Sequence, residues 1–327
     1  MYPDNFLLAC PGPGRHGRRQ NHKAASPESL LMPLPHIALA VLIAAIWGFN
    51  FVVIRLGLDA FPPLLFNGLR FAVASLPFLL FFRSPGVPWR WVIGTGLVLG
   101  IMKFSLLFLA MAHGMPAGLA SVVMQAQALF SVVFAAMLLG ERPGQVQWAG
   151  LAIAAAGIVV IAIDMDTGAG LIAFATIIAA AACWGFANIL TRRAAAPQPL
   201  AFMIWVSAVP PLPMFGLSWI FEGPDAIAAA FAGLELRGIM AVLYIGLLST
   251  TACFAGWSLL LRQYKASLVA PFTLLVPVFG LLSAWLVLDE VPSEIKLGGA
   301  VLILLGLMVN AGLLRRVTGW QTLRAKA

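Results

Sequence analysis

Long apolar blocks alternate with short polar breaks along the whole chain. The blocks cover 35–54, 62–82, 91–112, 116–139, 146–163, 170–191, 200–221, 238–261, 267–288 and 296–314. Most are roughly 18 to 24 residues long, the length a helix needs to cross about 30 Å of hydrocarbon. Lipid offers no hydrogen-bond partners, so a backbone within it must satisfy its own N–H and C=O groups, and each block is predicted to be helical. The short breaks make most neighbouring helices antiparallel. The pattern therefore predicts an all-α membrane protein of ten transmembrane helices.

Composition agrees. The 327 residues are 61% hydrophobic and 10% charged, against about 25% charged in an average soluble domain. A single soluble core of this size cannot hide so much apolar surface. The net charge of +8 would suggest nucleic acid in a soluble protein. Here the basic residues flank apolar blocks, which makes the excess a topology signal and implies a bilayer, not nucleic acid, as partner. With the N-terminus inside, Arg15, Arg18, Arg19, Lys23, Arg83, Arg90, Arg142, Arg192, Arg193, Arg262, Lys265, Arg315, Arg316, Arg324 and Lys326 fall on the inner side. Only Arg55, Arg237 and Lys296 fall outside, among acids such as Asp59, Asp164, Glu222 and Glu290. Fifteen basic residues against three predict that both termini are cytoplasmic.

Residues 1–31 differ from the rest, being rich in Arg, Pro and Gly with no long apolar run. They have neither the apolar core nor the cleavage site of a signal peptide and are expected to form a disordered extension; Met32 offers an alternative start. The expected organisation is this extension, a first five-helix copy over 32–163, a second over 164–316, and a cytoplasmic tail over 317–327.

The two copies are legible as a repeat. Trp47-Gly48-Phe49 is echoed by Trp184-Gly185-Phe186, and Arg55 matches Arg192 at the same offset. Ala117, Leu119, Phe130, Ala135, Glu141, Pro143, Gly150 and Gly157 match Ala266, Leu268, Phe279, Ala284, Glu290, Pro292, Gly299 and Gly306, all at one offset. Chance likeness among Ala-Leu-Gly-rich helices gives scattered matches; it rarely gives Trp-Gly-Phe and Glu-x-Pro in the same order. Five spans per copy is an odd number, so the second copy must enter the membrane from the opposite side. Inverted repeats are a recurrent transporter design with the substrate site near mid-membrane.

At these residues the chain resembles the drug/metabolite transporter superfamily, in its ten-helix EamA branch. The shared stretches are Trp47–Ile54, Gly68-Leu69-Arg70-Phe71, Gly114–Ser121, Gln125-Ala126-Gln127-Ala128 and Leu274–Val278. The resemblance covers about 35–314. It implies a multi-pass protein of the bacterial inner membrane, a secondary transporter that exports small amino acids or related metabolites such as cysteine and O-acetylserine. Lys103 departs from it, standing where the resemblance implies a neutral amide.

Charges inside a span are costly and suggest function. Arg70 lies eight residues into the second span from outside and Lys103 twelve residues into the third from inside, depths of roughly 12 and 18 Å. Gln125 falls near the same level. These three side chains are expected to converge on one cavity suited to an amino-acid carboxylate. The alternative for Arg70 is snorkelling to the headgroups or bonding to helix carbonyls. Lys103 has poor reach to either interface, and its desolvated amine is a candidate proton carrier. Gln125 and Gln127 are two apart on a helix, so at most one is expected to face the cavity. Asn50 and Asn188 are either ligands or interhelical packing amides. Trp47 and Trp184 either wall the cavity or follow from close packing at Gly48 and Gly185. Thr250, with Ser249 and Thr251, either faces the cavity or bonds to its own helix.

Absences narrow the chemistry. No Asp or Glu lies inside a predicted span, which disfavours bulky cations and favours a neutral, zwitterionic or anionic substrate. A Gly-Lys-Ser/Thr phosphate loop is missing, and His16, His22, His36 and His113 have no metal spacing. Neither cofactor nor metal is expected. Cys183 and Cys253 lie in apolar blocks and, with Cys10, make no disulfide framework. An intramembrane enzyme would need a nucleophile–base or metal constellation, and none is visible. A structural or sensor membrane protein, or an exporter of other metabolites or drugs, stands as the alternative.

Overall fold

A computed structural model describes residues 32–82, 84–165 and 168–313. The expected N-terminal extension, 1–31, and the cytoplasmic tail, 317–327, lie outside these residues. Every regular element among the described residues is helical. In chain order they are α1 (Leu34–Leu58), α2 (Pro63–Leu79), α3 (Trp89–Ala112), α4 (Ala117–Leu139), α5 (Gln145–Ile163), α6 (Ala169–Ala194), α7 (Pro199–Phe221), α8 (Pro224–Ala232), α9 (Leu236–Gln263), α10 (Ala270–Leu288, directly preceded by the single helical turn Ala266–Val269) and α11 (Glu294–Asn310). Eight of them, α1, α3, α4, α5, α6, α7, α9 and α10, are long and apolar enough to cross a membrane. Helices α2 and α11 have 17 residues each. The ten expected blocks each meet one of these helices. The short α8 was not expected; it sits in the loop after α7.

Proline sets many of the starts. Pro63, Pro199, Pro211 and Pro224 occupy first-turn positions, where a missing N–H costs nothing and the fixed φ suits a helix. Carboxylates cap two other-half helix starts. Both Glu222 oxygens accept from the Leu64 and Leu65 amides, at 2.6 and 3.0 Å, and both Glu290 oxygens from Ala117 and Gly118, at 2.9 Å each. Negative charge there meets unsatisfied N–H groups and the positive end of the helix dipole.

The matched sequence positions behave alike. Helix α4 stops at Gly140, in the left-handed region at φ 69°, and α10 stops at its counterpart Asp289, φ 54°. Each stop donates its N–H to a matched alanine, Ala135 or Ala284. Gly48 of α1 lies against Phe279 and Gly280 of α10, while Gly185 of α6 lies against Phe130 and Ser131 of α4. A Cβ on either glycine would come within 2.6 Å of the facing phenylalanine Cβ. Helices α5 and α11 cross through four glycines, Gly150 on Gly306 and Gly157 on Gly299.

Two helices carry π-helical segments at mid-length. Gly96–Lys103 of α3 and Tyr244–Ala252 of α9 are π-helical. A π turn bonds five residues back and misaligns carbonyls that other groups then use. Thr250 Oγ1 donates to Ile245 O, five residues earlier, and Asn67 Nδ2 reaches Gly100 O. Helix α7 breaks between Ala208 and Pro211, as its prolines predict, and Gly96 and Gly100 of α3 pack against Val209 and Pro210 at that break.

Candidate functional site

The central cavity has a volume of about 270 Å³ and takes its wall from α1, α2, α3, α4, α6, α7, α9 and α10. Trp47, Asn50, Arg70, Lys103, Gln125, Trp184, Asn188 and Thr250, every candidate from the sequence, line it. The wall runs toward the α6–α7 turn, where Thr191 and Met203 lie within about a turn of the helix ends.

Its charge is one-sided. Arg70 and Lys103 are each only 3% exposed. The Arg70 guanidinium lies 3.8 Å from the Phe104 ring centroid and 4.8 Å from that of Phe71. Its Nη2 donates to Thr250 Oγ1 at 2.9 Å, while Nε and Nη1 have no partner among the described residues. Lys103 Nζ lies 3.3 Å from the Phe104 centroid and 4.4 Å from that of Trp184. Aromatic faces attract a cation through the ring quadrupole, so Phe104 serves both charges. No carboxylate pairs with either one among the described residues; the acids sit at helix ends.

Arg70 therefore turns inward and does not snorkel, because the π segment of α9 sets Thr250 within its reach. Thr250 fills both roles considered for it, since it also donates to its own helix. Trp47 and Trp184 likewise both wall the cavity and precede close-packed glycines. Trp47 Nε1 donates to Ser249 O at 3.0 Å, another carbonyl of the π segment, and its ring lies 5.8 Å from Phe254 and 5.3 Å from Trp257.

The amides divide. Asn188 Nδ2 donates to Gln127 Oε1 at 2.9 Å and Ser131 Oγ at 3.0 Å, tying α6 to α4. Gln125 Nε2 donates to Thr273 O of α10 at 3.2 Å. Asn50 Oδ1 is buried without a partner. The expectation that only one of Gln125 and Gln127 faces the cavity is corrected: both line it. Met124–Ala126 is a 3-10 turn, whose 120° per residue leaves positions two apart closer in direction than an α-helix does. Sequence reasoning missed Phe104, Phe71, Ser121 and Ser207 as wall residues; as ordinary Phe and Ser in apolar blocks, they carry no signal of their own.

Known proteins match this arrangement. The EamA-like transporter family matches residues 34–163 and, a second time, 171–312. The chain belongs to that family. A probable amino-acid metabolite efflux pump of Escherichia coli K12 is 38% identical over 278 residues, 83% of this chain and 93% of that one. One from Salmonella typhimurium is 39% identical over 279 residues, with the same coverages. A solved crystal structure covers 86% of this chain and 99% of its own at a TM-score of 0.59 and 21% identity, a likeness of fold. This EamA-family chain is thus a multi-pass membrane protein and a transporter, not an enzyme.

Proposed function

We propose that this EamA-family protein exports small amino acids or related metabolites, of the cysteine and O-acetylserine kind, from the cytoplasm across the bacterial inner membrane. The observation that carries this reading is the pair of buried cations, Arg70 and Lys103, on a mid-helix cavity wall with no acid beside them. A carboxylate entering there meets the Lys103 ammonium on the cavity wall, with the buried charge of Arg70 beside it, in a low-dielectric pocket where charge-assisted hydrogen bonds are strong. The aromatic and aliphatic remainder of the wall suits a small side chain. A volume of about 270 Å³ is small for a bulky drug.

The proposed architecture is ten transmembrane helices in two inverted five-helix copies, 32–163 and 164–316, with both termini cytoplasmic. Three observations support it: the reciprocal packing of Gly48 on Phe279 and Gly185 on Phe130, the two-by-two glycine crossing of α5 and α11, and the matched π segments in α3 and α9. The double family match supports it too. In this orientation the cavity wall extends to the cytoplasmic side through Thr191 and Met203. The ties from Glu222, Glu290 and Asp164 lie at the opposite, outer end. That geometry loads substrate from inside, as export requires.

Reconstitution in proteoliposomes with labelled cysteine and O-acetylserine, with and without an imposed pH gradient, tests the reading. Flux above that of empty vesicles is expected, with loss of at least ~10-fold in Lys103→Gln, the effect of one charge-assisted contact. Flux equal to that of empty vesicles in every condition dismisses these substrates.

A further inference from the structure

Two cations share one aromatic ring in this protein with nothing negative beside them. Arg70 Cζ and Lys103 Nζ each lie within 4 Å of the Phe104 centroid, so the two charges are no more than about 8 Å apart. Both side chains are 3% exposed, and screening by bulk salt does not reach buried charges well. Their repulsion in a low-dielectric pocket is therefore substantial, and Phe104 and Trp184 offset it only through their quadrupoles. Arg70 keeps two N–H-bearing atoms, Nε and Nη1, closed off from solvent and without an acceptor among the described residues, an arrangement that carries a desolvation penalty. Arg70 cannot escape by losing its proton in the physiological range, so the repulsion is relieved either by Lys103 giving up its proton or by an anion. The protein supplies the donors and the charge of an anion site but no anion of its own.

We infer that Arg70 and Lys103 hold a small monovalent inorganic anion, of the chloride kind, whenever no substrate carboxylate occupies the cavity. Substrate and anion then exclude one another at one site, so loading the substrate releases the inorganic ion. The anion relieves the repulsion between the cations, accepting from the Lys103 ammonium on the cavity wall while Arg70 acts through its buried charge. A monatomic ion fits because it needs no further acceptor or donor set. The exclusion by substrate rests on the proposed export function; the anion site does not.

The test uses the purified full-length chain in detergent, dialysed into sodium HEPES, a bulky sulfonate without a carboxylate, and titrated with sodium chloride at constant ionic strength. The parent and Lys103→Arg are expected to gain a saturable rise in thermal midpoint, on the order of 2–4 °C. Lys103→Gln, with helicity checked by circular dichroism, is expected to gain none. Arg70→Lys provides a second lesion, with chloride half-saturation raised at least ~10-fold. Equal midpoints for the parent in the two salts, or a rise undiminished in both Lys103→Gln and Arg70→Lys, overturns the anion site. Adding cysteine or O-acetylserine is expected to raise the chloride concentration needed. A chloride response untouched by either compound sinks the shared-site exchange with those substrates and leaves the anion site standing. Labelled-substrate flux without any chloride response sinks the anion site and leaves export standing.

Discussion

Gly157 and Gly299 cross backbone on backbone. A Cβ added to Gly157 would lie 2.6 Å from the Gly299 carbonyl oxygen, and one added to Gly299 would lie 2.8 Å from that of Gly157. With Gly150 and Gly306 making the same approach, small residues let α5 and α11 pack at backbone distance, as helices in lipid often do. The two nearest atoms to a Cβ on Gly157 are main chain, Gly299 O and Ile303 N, and cannot swing aside. Gly157→Val is expected to destabilise by at least ~2 kcal/mol. Gly298→Ala, where nothing lies within 4 Å, is expected to be neutral or to stabilise by about 0.5–1 kcal/mol. Thermal midpoints of the two variants in detergent separate the cases, and an unaltered midpoint in Gly157→Val contradicts the crossing.

Arg70 has one protein acceptor among the described residues, Thr250 Oγ1. Thr250→Val keeps the shape and removes the oxygen, stranding a buried charged donor at a cost of about 1.5–3 kcal/mol. Thr250→Ser keeps the oxygen. The valine variant is expected to lose thermal midpoint and to raise the KM for transport, while serine stays near the parent. A valine variant that matches the parent in both midpoint and KM would contradict the hydrogen bond.

Asp164 at the end of α5 accepts from the Ser293 hydroxyl and pairs with Lys296 at 3.4 Å. The Ser293 hydrogen bond, then desolvation acting the other way, then Lys296 leave its carboxyl below the ordinary value, which is about 4. A carboxyl depressed in the fold contributes stability above its unfolded pKa and loses it as pH falls through the folded one. Asp164→Asn is therefore expected to lower the thermal midpoint at pH 7 and to converge with the parent as pH falls through the lowered folded pKa. Parallel curves across the whole pH range would contradict the contact.

Much was settled by sequence alone. Ten apolar blocks fix where helices lie, because lipid leaves a crossing backbone no other way to bond itself. Trp47-Gly48-Phe49 against Trp184-Gly185-Phe186 announces the repeat. Counting residues along the blocks picks out Arg70, Lys103 and Gln125 together, and all eight candidate residues line the cavity.

Direction and partnership were decided only in three dimensions. Counting along a helix assumes a constant turn, and the π segments of α3 and α9 and the 3-10 turn of α4 break that assumption at the cavity. Those local changes bring Thr250 to Arg70, free Ser249 O for Trp47, and turn both Gln125 and Gln127 to one wall. The sharing of Phe104 between two cations is likewise a matter of packing between helices. Sequence specifies which groups reach the middle of the bilayer, since that depends on local rise and hydropathy; which groups meet there depends on how distant helices rotate and cross.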